Sequence, residues 1–360
     1  MIHKDISRIL GILLIITIQG EPSEWYRNDE MAILYEAMTK ISSESLYTEN
    51  HHIPSKDILK NYIHSIDVYG DYFSKKEYKA FVDTLSPAYA GVGMILYQEK
   101  RNAKILCIPI LEKLKIKGIA KYDELISVDG HLVKEKNFYM VSSWIRGKVN
   151  SDVVLEVQKS SGKLQTITLK RTEQHFHSIQ RVIEDGSAMI RIIRFTHETP
   201  QELRNILNQW PKNIPIVIDL RGNGGGDLFA AIQSADLFLP KDTLISSVET
   251  TKRHIDYRAS ASDFTEGSPI FVLQDEFTAS AAEVFIAALT QNHRVQSIGK
   301  KSFGKGVAQK FILLSNGDAM LLTYGKIITP NGKSYHEVGL LPTSSISLKE
   351  LIETINYPLY

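Results

Sequence analysis

The sequence predicts a multidomain α/β protein that contains a helical N-terminal region, a small partly open β-barrel and an α/β core. The chain has 360 residues, more than one typical domain of about 100 to 200 residues requires. Its apolar pattern also changes twice, from helical spacing to short strands and then to apolar strands that alternate with helices. The predicted parts are a leader at 1–20, the helical region at 21–83, a β module at 84–171, the α/β core at 172–345 and a tail at 346–360.

The composition is that of a globular protein, with 43% apolar and 23% charged residues. Lys and Arg number 42 and Asp and Glu number 41, which gives a formal net charge of +1. Nucleic-acid-binding proteins depend on an excess of clustered cations, so this balance argues against that class. The single cysteine, Cys107, excludes intrachain disulfides and cysteine-rich metal sites. We expect it to be a small buried apolar residue.

A basic start and a short apolar run characterise residues 1–20. His3, Lys4 and Arg8 precede the apolar run at 9–18. The run is shorter than the roughly 20 residues that span a bilayer as a helix, but it suits the core of a signal peptide. We therefore predict export to the periplasm or cell envelope, with this segment as a signal peptide or an uncleaved N-terminal anchor. A buried N-terminal helix is the alternative.

The next two regions differ in their apolar spacing. Residues 21–83 carry apolar side chains at helical spacing, and 74–77 fits a capping box at the start of one short helix. From 84 to 171 the pattern is one of short strands separated by turn signals, with one helical stretch at 139–145. This second pattern predicts a small, partly open β-barrel that acts as a binding module.

Apolar strands and helices alternate between residues 172 and 345. The run at 214–220 is a continuous apolar strand of the kind buried on both faces of a parallel sheet, and the run at 270–273 starts a second such unit. Each strand is followed by a loop and a helix. Ligands of such sheets bind where loops leave the carboxyl ends of the strands. The first of these loops carries three glycines at 224–226, and the second ends at Ser280.

Ser280 and Lys305 can be combined into one catalytic site. A serine hydroxyl is a poor nucleophile that needs a base, and a lysine can serve if burial lowers its pKa. Gly304 and Gly306 would let the backbone bend closely, so that the lysine amine is buried and directed at the site. Each residue also has a plainer interpretation. Ser280 can be a helix N-cap in a capping box with Glu283, and Lys305 can be a solvated loop residue.

Taken together, these motifs resemble those of the C-terminal processing proteases, serine peptidase family S41. The matching segments are Asp219 to Gly226, Asp275 to Glu283, Ser302 to Gly306 with Gln309, and Val338 to Pro342. The resemblance implies a crotonase-like α/β core, with Ser280 as nucleophile, Lys305 as general base and Gln309 orienting Lys305. It also implies an oxyanion hole formed by the backbone N–H groups of Gly225 and Ala281, with no cofactor and no metal.

The β module resembles a PDZ domain, which members of this family carry between a helical N-terminus and the protease core. The segment Gly91-Val92-Gly93 stands where PDZ domains place the loop that binds a peptide's terminal carboxylate. The strand that follows can accept the peptide by β-augmentation. The sequence departs from the family pattern at Tyr122, where glycine is usual, and at 111–114, where Gly-Ser-Pro-Ala is expected. The peptide preference therefore stays open.

The sequence predicts an exported serine endopeptidase that binds exposed apolar C-termini of unfolded or tagged proteins and cleaves them with a Ser-Lys site. Its partners are then protein substrates and not nucleic acid; an adaptor protein, a homo-oligomer and membrane association through 1–20 stay open. Arg146 is a candidate link between an occupied PDZ groove and the catalytic site, with a surface arginine as the alternative. The alternative function is a catalytically inactive binding or scaffold protein of the cell envelope.

Two rival chemistries lack their sequence motifs. A histidine-dependent serine hydrolase of the α/β type would carry Gly-x-Ser-x-Gly, which the chain does not contain. A zinc protease of the commonest kind would carry His-Glu-x-x-His, which is also missing from the sequence. The Ser-Lys interpretation is therefore preferred.

Overall fold

In the computed structural model, the described residues are 33, 36–40, 55–83, 88–98, 104–109, 117–120, 122–134, 136, 138–175, 177–184, 187–211, 214–260, 263–265 and 267–355. The predicted leader at 1–20 lies outside the described residues, and the predicted tail is described as far as residue 355. Within the described ranges, no helix is both long enough and apolar enough to cross a membrane.

Helices and strands both occur along the described chain. Besides the helical residues 33 and 36–40, the helices are α1 (Ser55–Ile66), α2 (Lys75–Asp83), α3 (Phe138–Ile145), α4 (Thr199–Asn208), α5 (Leu228–Asp236), α6 (Ala281–Gln291) and α7 (Leu348–Ile355). The strands are β1 (Asp71–Phe73), β2 (Ala88–Gly91), β3 (Met94–Gln98), β4 (Ile105–Pro109), β5 (Asp123–Val128), β6 (His131–Leu132), β7 (Asp152–Gln158), β8 (Leu164–Lys170), β9 (Thr172–His175), β10 (Ile179–Glu184), β11 (Ser187–Ile192), β12 (Ile216–Asp219), β13 (Leu244–Thr250), β14 (His254–Arg258), β15 (Ile270–Gln274), β16 (Gln296–Gly299), β17 (Val307–Leu313) and β18 (Ala319–Ile328).

The described part of the chain divides into two compact units, and the first consists of the described residues within 1–76 and 309–323. In it, β1 pairs antiparallel with the start of β18, with Phe73 opposite Ala319. The rings of Phe73 and Phe311 pack edge to face at 5.3 Å. The sequence did not predict β1, because three residues are too few to show an alternating pattern and their partner strand lies far along the chain.

The second unit, residues 77–308 and 324–360, contains the β module and the α/β core. In the module, a sheet has the strand order β3-β4-β5-β7-β8, with β6 paired to β5, and β2 pairs separately with β9. Helix α3 contributes Val141 to the module's core, which also contains Cys107 and Leu155. Cys107 is fully buried, as expected, and burial raises the pKa of its thiol to about 12.

The α/β core is built on a sheet with the strand order β10-β11-β12-β15-β16. Strands β10 and β11 form an antiparallel hairpin, and every later neighbour pair in this sheet is parallel. Helices α4, α5 and α6 pack on one face, against residues such as Ile218 and Val272. The other face packs against α7 through Leu351, with Val217 and Leu273. Strand β12 is buried on both faces, as its continuous apolar run predicts.

A second sheet of the core brings the end of β18 to the loop that follows β16. Strand β13 pairs antiparallel with β14 and with the end of β18, where Thr250 lies opposite Gly325. Beyond this ladder, the Ile327 N–H donates to the Gly306 carbonyl at 2.9 Å. Strand β18 is therefore bonded directly to the loop that carries Lys305.

Candidate active site

Three loops leave the carboxyl ends of the parallel strands β12, β15 and β16: the glycine loop (220–227), the serine loop (275–280) and the lysine loop (300–306). Backbone groups connect them. The Ala279 N–H donates to the Asn223 carbonyl at 2.9 Å, and the Phe303 N–H donates to the Thr278 carbonyl at 2.9 Å. Ligands of open α/β sheets bind at this edge, so the topology places all three motifs where a site is expected.

Ser280 has a strained backbone conformation at the turn between β15 and α6. Its φ is 57° and its ψ is −120°, in a region that non-glycine residues rarely adopt, at a cost of about 1–3 kcal/mol. A strand-turn-helix junction of this kind presents the nucleophile of α/β-hydrolases. Those enzymes place a glycine two residues before and two residues after the serine, whereas Thr278 and Ala282, both buried, stand at these positions here. The absence of Gly-x-Ser-x-Gly therefore did not exclude an elbow-like turn.

Gly225 lies in direct contact with the serine turn. A Cβ atom added to it would lie 2.8 Å from the Ala279 oxygen, 2.8 Å from the Ser280 Cβ and 2.9 Å from the Ala281 nitrogen. Its φ of 100° also lies in the left-handed region that favours glycine. Only glycine fits this position, and its backbone is brought beside both Ser280 and Ala281.

The two predicted oxyanion donors differ in their hydrogen bonding. Ala281 is the first residue of α6, so its N–H has no acceptor within the helix. The Gly225 N–H donates to the Asn223 Oδ1 at 2.8 Å. Asn223 is buried and held in place because its Nδ2 donates to the Ile192 carbonyl at 2.8 Å. In this conformation Gly225 can serve an oxyanion only if the bond to Asn223 is shared or replaced.

Glu283 joins the serine loop to the lysine loop. Its carboxylate is fully buried and accepts four hydrogen bonds. Oε2 accepts from the N–H of Ser280 at 2.8 Å and from the N–H of Lys305 at 2.8 Å. Oε1 accepts from the Ser302 hydroxyl at 2.6 Å and from the Gly304 N–H at 2.6 Å. The sequence suggested only a capping role for Glu283, since contacts with residues about twenty positions later leave no local pattern.

Burial and hydrogen bonding shift the pKa of the Glu283 carboxyl in opposite directions. Burial raises the pKa of its carboxyl above the ordinary value, and the hydrogen bonds from Ser302 and the backbone offset only part of that rise. Tyr335 is also buried, and its hydroxyl lies 3.5 Å from the Ser280 carbonyl oxygen. Burial, followed by the nearby Glu283 carboxyl, raises the pKa of Tyr335 well above its ordinary value, which keeps the phenol protonated.

Lys305 is half-buried and lies between two positions, 304 and 306, that only glycine can occupy. A Cβ atom on Gly304 would lie 2.9 Å from the Gly339 nitrogen, and one on Gly306 would lie 2.8 Å from the His336 nitrogen. Both contacts are with backbone that cannot move aside easily. The close approach expected from the Gly-Lys-Gly pattern is therefore present, and it fixes the backbone of Lys305.

Comparison with known proteins identifies the domain that carries these loops. Residues 186–346 match the model of peptidase family S41, and this range includes Ser280, Lys305, Gly225 and Glu283. The chain carries a peptidase family S41 domain. A probable CtpA-like serine protease of Staphylococcus saprophyticus is 30% identical over 285 residues, which cover 78% of this chain and 58% of that protein. A probable CtpA-like serine protease of Staphylococcus aureus is 28% identical over 350 residues, 95% of this chain and 70% of that protein.

A solved structure extends the similarity beyond the S41 domain. The photosystem II D1 C-terminal processing protease matches with a TM-score of 0.63 and 19% identity, over 92% of this chain and 98% of that chain. At this level of identity the match shows the fold, and it confirms the predicted mixed α/β architecture. The chain spans 58% of the length of the S. saprophyticus relative named above, so that protein's activity is not transferred by the match alone.

The remaining predicted site residues lie outside the three loops. Gln309 belongs to the first compact unit, where its Nε2 donates to the Tyr69 carbonyl at 2.7 Å. Its assigned role, orienting Lys305, stays a prediction. The Arg146 Nη1 donates to the Asp83 carbonyl at 2.8 Å, at the end of α2. This contact attaches the helix end of the β module to α2, and the proposed coupling through Arg146 also stays a prediction.

The predicted carboxylate-binding loop of the β module joins β2 to β3. Gly91 ends β2, Val92 is buried, and Gly93 has a φ of 77° immediately before β3. Strand β3 is at the end of the strand order and pairs only with β4 among the described strands of its sheet. Among the described strands, none pairs with the other edge of β3.

An ion-pair cluster anchors the start of the glycine loop in the S41 domain. Asp219, the last residue of β12, is fully buried between Arg191 and Arg221, with nitrogen–oxygen distances of 2.6 Å and 2.8 Å. Burial acts to raise the pKa of Asp219, but hydrogen bonds from Arg221 and Arg191 outweigh it and hold the pKa below its ordinary value. Across the described residues, no group of three or more His, Cys, Asp or Glu side chains is arranged to hold a metal ion.

Proposed function

We propose that the protein is a serine endopeptidase in which Ser280 attacks the scissile carbonyl and Lys305 is the general base. One observation carries this proposal: Ser280 lies in a strained strand-to-helix turn against Gly225, and a single buried carboxylate binds the backbone N–H groups of both Ser280 and Lys305. Backbone strain of this kind is concentrated at active sites, and here it falls on a hydroxyl-bearing residue that lies against the glycine loop and is linked to the lysine loop through Glu283.

The acylation step follows from the roles of these groups. The neutral Lys305 amine takes the proton of the Ser280 hydroxyl as its oxygen bonds to the carbonyl carbon. The oxyanion that forms is bound by the Ala281 N–H and by the Gly225 N–H, once the latter is released from or shared with Asn223. The Lys305 ammonium then gives its proton to the leaving amine as the carbon–nitrogen bond breaks. Water, deprotonated by Lys305, hydrolyses the acyl-enzyme.

The β module then acts as a PDZ-like receptor for substrate C-termini. The proposal is supported by the edge of β3 that no described strand covers, by Gly93 in the turn before it and by the half-buried Leu96, which packs on the module's core. A peptide added along β3 would form main-chain hydrogen bonds there, and its terminal carboxylate would reach the N–H groups of the loop at 91–93. Apolar C-terminal side chains would then contact the apolar core.

A pair of peptides tests the activity and the recognition together. We expect the purified protein to cleave an unstructured fluorogenic peptide that ends in an apolar residue with a free carboxylate. Amidation of that C-terminus should raise KM about tenfold and leave kcat nearly unchanged, because a charge-assisted hydrogen bond is lost only in binding. Acetylation of the N-terminus is the control and should change neither constant. Equal KM values for the acid and the amide would contradict C-terminal recognition, and no cleavage of any such peptide would favour a scaffold.

Export is a separate proposal that rests on residues 1–20. We expect protein isolated from cells to be found in the periplasm or cell envelope. N-terminal sequencing should give a start after residue 20 for a cleaved signal peptide, or an intact leader in the membrane fraction for an anchor. An intact leader on protein confined to the cytoplasm would contradict export.

A further inference from the structure

Glu283 touches both halves of the proposed dyad through their backbones, an arrangement that the dyad mechanism itself does not require. We infer that the Glu283 carboxylate is a positioning residue that sets the distance between nucleophile and base, and that it does so only when ionised. This inference rests on the proposed function, because Ser280 and Lys305 must be the reacting groups. Glu283 itself does not contact the reacting atoms in this account.

The hydrogen bonds of Glu283 explain why its ionised form is needed. A carboxylate offers about four lone-pair sites, and all four partners here are donors: three backbone N–H groups and the Ser302 hydroxyl. A proton on either oxygen would be directed at one of these donors, and two donors cannot bond to each other. Protonation therefore has to break at least one of the four hydrogen bonds that connect the carboxylate to Ser280, Ser302, Gly304 and Lys305. The proton would act as a switch that loosens the site.

Ser302 makes the arrangement rigid from the other side. It is buried, and its hydroxyl donates to Glu283 at 2.6 Å while accepting from the Leu340 N–H at 2.7 Å. The hydroxyl proton is therefore committed to the carboxylate. Threonine carries the same hydroxyl, so Ser302→Thr is a conservative change. Ser302→Ala removes one hydrogen bond to the charged form and leaves the other three.

The titratable groups on the segments around the carboxylate, among the described residues, are Lys305 on the lysine loop and Tyr335, His336 and Glu337 on the segment that packs against Gly304 and Gly306. Tyr335 stays protonated, since burial raises its pKa well above the ordinary value. Lys305 must be neutral to act, so its protonation also lowers kcat as the pH falls. Of the groups that lower kcat as the pH falls, only Glu283 loses a hydrogen bond directly when the Ser302 hydroxyl is removed.

The test compares kcat, KM and the pH dependence of kcat for wild type, Glu283→Gln, Glu283→Asp, Ser302→Ala and Ser302→Thr, with the melting temperature of each. Glu283→Gln presents an NH2 group to two donors, so we expect a loss in kcat of about 100-fold, as for a displacement of about 1 Å in the site, with KM within about threefold. Glu283→Asp keeps the charge but is too short for all four donors, and we expect a loss of about tenfold.

The variants Ser302→Ala and Ser302→Thr distinguish a positioning role of the Glu283 carboxylate from a merely structural one. Removing a hydrogen bond from the charged form raises a carboxyl pKa, so Ser302→Ala should move the acid limb of kcat to higher pH, and Ser302→Thr should leave it in place. The inference is wrong, and the Ser-Lys mechanism is unaffected, if Glu283→Gln and Glu283→Asp retain the wild-type kcat. The same holds if Ser302→Ala leaves the acid side of the pH profile of kcat unchanged. If wild type cleaves nothing, the proposed function fails first. Should Glu283→Gln not fold, Glu283→Asp and the Ser302 pair still decide the question.

Discussion

Gly225→Ala should abolish peptide cleavage, with a loss in kcat/KM of at least about 1,000-fold. The added Cβ would stand 2.8 Å from both the Ala279 oxygen and the Ser280 Cβ, and 2.9 Å from the Ala281 nitrogen. These are atoms of the nucleophile turn itself, so relief of the clash has to displace the serine or one of the two oxyanion donors. Loss of one such donor costs about 100- to 1,000-fold, and misplacement of the nucleophile adds to it.

The neighbouring glycine provides a matched control for this substitution. A Cβ on Gly224 would meet nothing within 4 Å, and Gly224 is not among the residues with a positive φ. We expect Gly224→Ala to keep its activity within about threefold of wild type at an unchanged melting temperature. Steady-state kinetics on one fluorogenic peptide compares the two. Similar activities in the two variants would show that the contact between the glycine loop and Ser280 is unimportant.

Lys305→Ala should reduce kcat by about 10,000-fold, the upper end of what a positioned general base supplies. The substitution removes the amine but leaves the backbone N–H that binds Glu283, so the loop should keep its conformation. Lys305→Arg should not restore activity, because a guanidinium stays protonated at all working pH values. Lys301→Ala, which removes an exposed lysine from the same loop, is the control and should lie within about twofold of wild type.

Features of the fold with local causes could be predicted from the sequence. The continuous apolar run that becomes β12 and the capping pattern at the start of α6 each express an interaction within a few residues. The order of the parallel strands then placed the two loops at one edge of the sheet, as expected for such folds. Strand β1 could not be predicted, since its pairing with β18 depends on residues far along the chain.

The site shows the same division between local and distant causes. The serine, lysine and glycine motifs were visible because each has a fixed residue pattern. The positive φ of Ser280 was not, because Thr278 and Ala282 take the place of the glycines that usually mark such a turn. The hydrogen bond that the Gly304 N–H donates to Glu283 was also not predictable, since it depends on how closely two separate segments approach. The bond from the Gly225 N–H to Asn223 lies within one loop and depends on the conformation of that loop.

The most direct test of the Ser-Lys mechanism is covalent labelling of Ser280. A fluorophosphonate probe reacts preferentially with an activated serine. Mass spectrometry of the intact protein counts the adducts, and peptide mapping locates them. We predict a single adduct on Ser280 in wild type, none in Ser280→Ala, and a labelling rate for Lys305→Ala that is lower by about 1,000-fold or more at neutral pH. An unlabelled wild type, or a Lys305→Ala variant labelled on Ser280 as fast as wild type, would contradict the mechanism.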